Sequence, residues 1–176
     1  MRTALTDGQF AQELSSYRKS AFRLELQPVY TVGSERELFE TFRAGRPESP
    51  VTREGFRAYY RQVREKTDAG IRTERVRLAD DPPTEYQRWI RYMDRWNIEA
   101  GEIIHYLPRA TAQRVGLTGA FDGCDWWLLE DSRLIQLTFD NQGRLTSIDL
   151  TTDDTDLRQA RAWRDLAIRT AREEAP

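Results

Sequence analysis

A single α+β domain with a mixed sheet flanked by helices is the fold predicted for residues 1–176, and three patterns predict it. Apolar residues recur at three-and-four spacing in some segments and at alternate positions in others, the periods of helices and half-buried strands. Residues 71 to 109 run strand, helix, strand, the layout of a βαβ unit with parallel strands and a right-handed crossover. Two turn motifs then divide residues 128 to 150 into an antiparallel meander.

The elements follow in chain order. Thr6 and Gln9 form a capping box, with Leu5 and Phe10 at the staple positions, so a first helix carries Phe10, Leu14 and Tyr17 on one face. SAFRLELQPVY alternates Phe22, Leu24 and Leu26 with Arg23, Glu25 and Gln27, a strand that Pro28 should confine to a sheet edge. Ser34 and Glu37 form a second capping box, before Leu38, Phe39 and Phe42 and a stop at Gly45. Beyond the linker-like RPESPVT, a third helix starts at Thr52 and carries Phe56, Tyr59, Tyr60 and Val63 as far as Gly70.

IRTERVRLADD alternates Val76 and Leu78 with Arg75 and Arg77, a strand. Thr84 and Gln87 cap a fourth helix, apolar at Tyr86, Trp89, Ile90, Met93 and Trp96 and closed by Gly101. EIIHYLPR is the next strand. In DGCDWWLLED, Trp126 to Leu129 show no polar alternation, which predicts a central strand covered on both faces. Neighbouring lysine or arginine would accompany a base-stacking platform, whereas Asp122, Asp125, Glu130 and Asp131 surround these tryptophans. They read as core, with one of them at a pocket rim. Leu134–Phe139 and Leu145–Leu150 complete the meander across DNQG, where Asp140 belongs to the turn. Residues 155–173, with Leu157, Ala160, Trp163, Leu166 and Ala167 in phase, form a terminal helix.

Composition narrows the function. A formal charge of −2 lacks the basic excess of a nucleic-acid binder, and no helix-turn-helix pattern is present. No apolar run reaches the ~20 residues that span a bilayer, and MRTALTDGQFAQELSS lacks the layout of a secretory signal, so a cytoplasmic, membrane-free protein is expected. Lys19 and Lys66 are the only lysines among 27 basic residues; the arginines are dispersed, as arginine-favouring codon usage would leave them.

Catalytic residue types are few. Cys124 is the only cysteine and His105 the only histidine, so no disulfide and no two-histidine or two-cysteine metal site forms within one chain. A Cys124–His105 dyad is disfavoured, because a lone cysteine beside a tryptophan reads as a small apolar residue. GLTGAFDG lacks the lysine of a phosphate-binding loop. Asp80, Asp81, Glu102 and Asp125 are the acids that a metal-assisted phosphodiesterase or nucleotide hydrolase would use, although acids at strand ends are more often turn formers.

The sharper feature is cationic. Arg75 and Arg77 point to one side of a sheet expected to be covered on both faces, so they must be paired or face a cleft. Glu102 and Arg109, from the following strand, are the expected partners or co-lining residues. Such a cleft, with Tyr86 and Trp127 as walls, suits an anionic small molecule or an acidic segment of a protein partner.

SAFRLELQPVY, ERVRLADDPPTEYQRW, NIEAGEIIHYLPR, DWWLLEDSRLIQLTFDNQGR and ARAWRDLA, in this order, resemble an uncharacterised family of high-GC Gram-positive bacteria, the domain-of-unknown-function family 6879. The likeness covers about residues 3 to 168. It implies no established activity or cofactor, and proteins that resemble companions of helix-turn-helix regulators. Ile103 and His105 stand where the family tends to carry an acid and an arginine, while Glu102, Leu107 and Arg109 keep its pattern. The second half is also similar in layout to degenerate phospholipase D-like sensor domains, an analogy of fold alone. The expectation is a regulatory or partner-binding module without catalysis, metal or cofactor. It would act on a transcriptional regulator or an anionic small molecule, through Arg75, Arg77, Tyr86, Glu102, Arg109 and Trp127.

Overall fold

One mixed sheet organises the computed structural model, which describes residues 2–175. Its strands are β1 (Arg2–Ala4), β2 (Ser20–Glu25), β3 (Arg72–Ala79), β4 (Ile103–Pro108), β5 (Asp125–Leu129), β6 (Arg133–Phe139) and β7 (Leu145–Thr151), in the order β1-β7-β6-β5-β2-β3-β4. β2, β3 and β4 are parallel, and β5, β6 and β7 form the antiparallel meander. The helices are α1 (Asp7–Ser16), α2 (Arg36–Arg43), α3 (Glu54–Asp68), α4 (Glu85–Glu99), α5 (Arg109–Arg114) and α6 (Asp154–Glu173). The fold is α+β, and none of the described helices is long and apolar enough to cross a membrane.

Local chemistry accounts for most boundaries. Both threonine capping boxes form, Thr6 with Gln9 and Thr84 with Gln87, so the first N–H groups of α1 and α4 have acceptors. Ser34 does not cap α2. It lies in a 3-10 turn, Gly33–Glu35, and Glu37 instead pairs with Arg53. Thr52 likewise ends a 3-10 turn, and α3 begins two residues later without a side-chain cap.

Pro28 does not place β2 at an edge. The strand ends at Glu25 before the proline is reached, and β2 pairs with β5 on one side and β3 on the other. Its antiparallel and parallel neighbours join the two halves of the sheet. The parallel β2-β3 connection through α2 and α3 is thus a second crossover beside the expected one through α4.

Strand alternation divides the core between two faces. Phe22, Leu24, Val76, Leu78, Trp126 and Leu128 pack toward α6, with Leu157, Ala160 and Ala167. Ala21, Trp127 and Leu129 face the other way, with Tyr17. β5 is the central strand, and both tryptophans are buried in it, as the unalternating run predicts. On the α1 side a second apolar cluster of Tyr30, Leu38, Tyr86, Trp89 and Met93 joins α2 to α4.

The loop after β2 is tied to the DNQG turn. Thr31 donates its N–H to the Gly143 carbonyl at 2.8 Å and its hydroxyl to the Gln142 carbonyl at 2.7 Å. Asp140 shapes the turn by accepting from the N–H groups of Gln142 and Arg144. Gly143 has φ +72°, and a Cβ there would lie 2.3 Å from the Val29 carbonyl oxygen, a backbone atom with no rotamer to yield. Gly70 has a similar φ of +77° but open space around it. Gly143→Ala should therefore cost ~2–4 kcal/mol in urea denaturation and Gly70→Ala about 1 kcal/mol, the difference being the steric part. Equal losses would show that the Val29 contact does not constrain the turn.

Candidate functional site

Odd-numbered residues of β3 and β2 share the face away from α6, which puts Arg23, Glu25, Arg75 and Arg77 side by side: Arg23 lies opposite Arg75, and Glu25 opposite Arg77. Trp127 of β5 is the register partner of Arg23 on its other side. This polar block is buried beneath α3 and α4, with Arg75 5% and Arg77 8% exposed.

Arg75 and Arg77 each meet carboxylates on more than one side. Arg77 grips Asp94 of α4 through two bonds, Nε to Oδ2 at 3.0 Å and Nη2 to Oδ1 at 2.8 Å, and bonds Glu25 through Nη1. Arg75 contacts Glu25 at 3.2 Å, bonds Glu102 and donates to the Tyr59 hydroxyl at 3.1 Å. Glu102 is held in turn by Asn97 at 2.7 Å and by Tyr59. Tyr106 adds a 2.6 Å bond to Asp94.

Electrostatics favour the charged forms of Glu102 and Arg75. Burial alone would raise the Glu102 carboxyl, but the Arg75 guanidinium, the Asn97 amide and Arg77 hold it below the ordinary value of 4.5. Burial opposes the charge of Arg75, and Glu102 outweighs it, so the guanidinium binds its proton more tightly than usual. Burial pushes the Tyr59 hydroxyl up, and Glu102 pushes it further.

Above the block lies a cavity of about 670 Å³ between α1, α2, α3, α4 and the sheet. That volume is within the range of small-molecule sites. Arg23, Arg75, Arg77 and Trp127 form its floor, and Tyr17, Phe56, Tyr59 and Tyr60 contribute aromatic walls.

Arg23 differs from the other two arginines. Its guanidinium approaches Glu25 at 2.9 Å and Asp125 at 3.8 Å, yet it makes no well-directed hydrogen bond among the described residues, and its Nε has no acceptor. The guanidinium carbon lies 5.2 Å from the centre of the Trp127 ring and 5.8 Å from that of Tyr30. Asp125, 0% exposed, accepts from the Leu26 N–H at 2.9 Å and from the Tyr30 hydroxyl; burial raises its carboxyl despite Arg23.

Of the expected site residues, Arg75, Arg77 and Trp127 thus line one cavity, and Glu102 supports it from behind. Tyr86 stands one layer back, bonding Glu35, which itself lines the cavity, at 2.8 Å. Arg109 is elsewhere: it lies beyond the end of β4 as the first residue of α5, where it bonds Asp80. An odd number of positions separates it from Glu102, so alternation already sends the two to opposite faces. Arg23, Glu25 and Asp94 complete the site although they were not among the expected residues. The polar alternation of SAFRLELQ that defines β2 carries the first two in phase with Arg75 and Arg77.

The acids of the hydrolase alternative do not converge. Asp80 is engaged by Arg109 and Gln87, Asp125 by Tyr30 and Leu26, and Glu102 by Arg75 and Asn97. Among the described residues no three His, Cys, Asp or Glu side chains are placed to hold one metal ion. His105 bonds Glu74 at 2.8 Å, whereas Cys124 lies beside Thr138. The dyad does not form.

One family model matches, described as a domain of unknown function (DUF6879), over residues 8–175. No curated protein matches.

Two outcomes follow from the network. Removing one member of a buried ion pair leaves its partner uncompensated, so Arg77→Met should lower stability by ~3–5 kcal/mol. Arg23→Met, which breaks no directed bond, should cost less than about 1 kcal/mol; equal losses by chemical denaturation would refute this division of labour. The second outcome concerns acid. Because the Glu102 carboxyl is depressed in the folded state, its contribution is complete above about 4.5 and disappears as pH falls through the folded value. Between about pH 5 and pH 3, Glu102→Gln should therefore lose less stability than the parent protein, a difference that parallel urea titrations would read.

Proposed function

The chain belongs to the DUF6879 family, whose function is unknown, and from that premise we propose that it is a non-catalytic binding module with a small-molecule site in the cavity above β2 and β3. One observation carries this reading. In a floor where every guanidinium nitrogen of Arg75 and Arg77 is hydrogen-bonded, Arg23 borders the cavity with a guanidinium that makes no directed hydrogen bond to a described residue, its Nε lacking any acceptor. A guanidinium has five N–H donors and no acceptor, so whatever completes it must bring a hydrogen-bond acceptor.

The roles of the three arginines separate accordingly. Arg75 and Arg77 build a rigid platform with Glu25, Glu102 and Asp94, and Arg23 with Trp127 meets the occupant. This supports an acceptor-bearing ligand with an extensive apolar body, because Leu38, Val63, Ile90 and Met93 join the rings of Tyr17, Phe56, Tyr59 and Tyr60 in the walls. A role beside a helix-turn-helix regulator, which the resemblance suggests, fits a module that reports occupancy of its cavity to a protein partner. A formal charge of −2 gives direct binding to nucleic acid no support.

The test is native mass spectrometry of the protein purified under mild conditions from its own cells. The parent protein should carry a discrete small-molecule adduct, and Arg23→Met should lose it at least tenfold, since a bond to a charged group contributes ~1.5–3 kcal/mol. An adduct retained undiminished by the variant, or none on the parent protein, would overturn the proposal.

A further inference from the structure

The same cavity also restricts the chemistry of its occupant. We infer that the ligand has a flat, largely aromatic body bearing a single carboxylate, and that Arg23 is the residue that reads the carboxylate. The inference rests on the proposal that the cavity is the binding site, and three observations carry it further.

The first is donor availability. Every guanidinium nitrogen of Arg75 and Arg77 is already bonded to Glu102, Glu25, Asp94 or Tyr59, so a carboxylate placed there would compete with those partners. Arg23 is the floor arginine that makes no directed hydrogen bond to a described residue, so it can take a new acceptor without breaking one, and its planar fork matches the two oxygens of a carboxylate. Its side chain keeps 19% of its surface accessible, against 6% for Arg75 and 9% for Arg77.

The second is charge. Arg23, Arg53, Lys66, Arg75 and Arg77 line the cavity, and Glu25, Glu35, Glu37, Asp94, Glu102 and Asp125 line it or lie directly behind it. Cations and carboxylates nearly balance, so this is no general anion trap. A doubly charged phosphate would be opposed by the carboxylates behind the floor, whereas one carboxylate can be compensated by one bidentate contact.

The third is the state of the aromatic faces. A ligand ammonium would seek the rings, but internal cations already occupy several of them. Arg23 and Arg75 lie over Trp127, at 5.2 and 5.8 Å from the ring centre, and Lys66 lies 3.4 Å from the centre of Tyr17. An added cation would meet those charges. Phe56, Tyr59 and Tyr60 leave aromatic wall for a flat apolar body.

The experiment uses four probes of known charge: indole-3-acetate, indole-3-acetamide, tryptamine and inorganic phosphate. Binding is followed by the NMR signal of the Trp127 indole N–H, which is assigned by its absence in Trp127→Phe. Indole-3-acetate should shift that signal saturably, with the amide and tryptamine at least tenfold weaker and phosphate without effect. In Arg23→Gln, with its fold confirmed by circular dichroism, the preference for acetate over amide should disappear while amide binding remains. Tryptamine or phosphate binding as tightly as the acetate, or a preference that survives Arg23→Gln, would overturn the inference but leave the cavity as a binding site. No shift of the Trp127 signal with any probe would overturn both.

Discussion

Glu25 is the residue on which the arrangement depends. It is 3% exposed, and its two oxygens are divided between Arg75 and Arg77, while Arg23 closes on the same carboxylate from its own strand. Three guanidiniums on two neighbouring strands would repel one another in a buried setting if nothing stood among them. Glu25 lies in the middle of that triangle, and Glu102 and Asp94 close it from the β4 side and from α4. The parallel register of β2 and β3 makes this possible, since it sets Arg23 against Arg75 and Glu25 against Arg77. A slip of β2 by one residue would turn Arg23 and Glu25 toward α6 and into the apolar core.

The same network explains why a cavity can persist in a protein of this size. Buried arginines that are bonded on several sides are stiff, and Arg77 in particular ties β3 to α4 by a two-point contact with Asp94. α2 and α4 meet across Leu38, Trp89 and Met93, and α3 packs on α4 through Tyr60, Val63 and Ala100. The helices thus rest on a polar platform and on each other, with the cavity between them. Lys66 closes the α1 side by donating to the Ser15 and Tyr17 carbonyls, where a helix terminus leaves acceptors without partners.

Much of this fold was legible in sequence because it is written in local signals. The two threonine boxes fix where α1 and α4 begin, and the strand-helix-strand spacing of residues 71–109 yields parallel β3 and β4. The unbroken apolar run at Trp126–Leu129 locates the central strand. What failed depended on context beyond the neighbouring residues. Pro28 suggested an edge, but only a proline inside a strand restricts pairing, and β2 stops before it. Ser34 and Glu37 have the right spacing for a cap, yet Glu37 found Arg53 across the fold.

The site was half legible for a related reason. Arg75 and Arg77 stand out because charge in a central strand demands compensation, and that argument applies equally to Arg23 and Glu25 one strand away. The argument needs the pairing of β2 with β3, which no local pattern specifies, since 46 residues of chain separate Glu25 from Arg72. Arg109 is grouped with the others as part of the strand expected beside β3, whereas alternation and the start of α5 carry it to Asp80. Once the pairing is known, the burden of recognition moves from the arginines that are most deeply paired to the one left over. A guanidinium whose donors are all engaged can stabilise a floor but cannot respond to a ligand without first giving up a bond. Arg23 is held in place by Glu25 and by the ring of Trp127 but is not consumed by either, so it can exchange partners at low cost while the rest of the platform stays fixed.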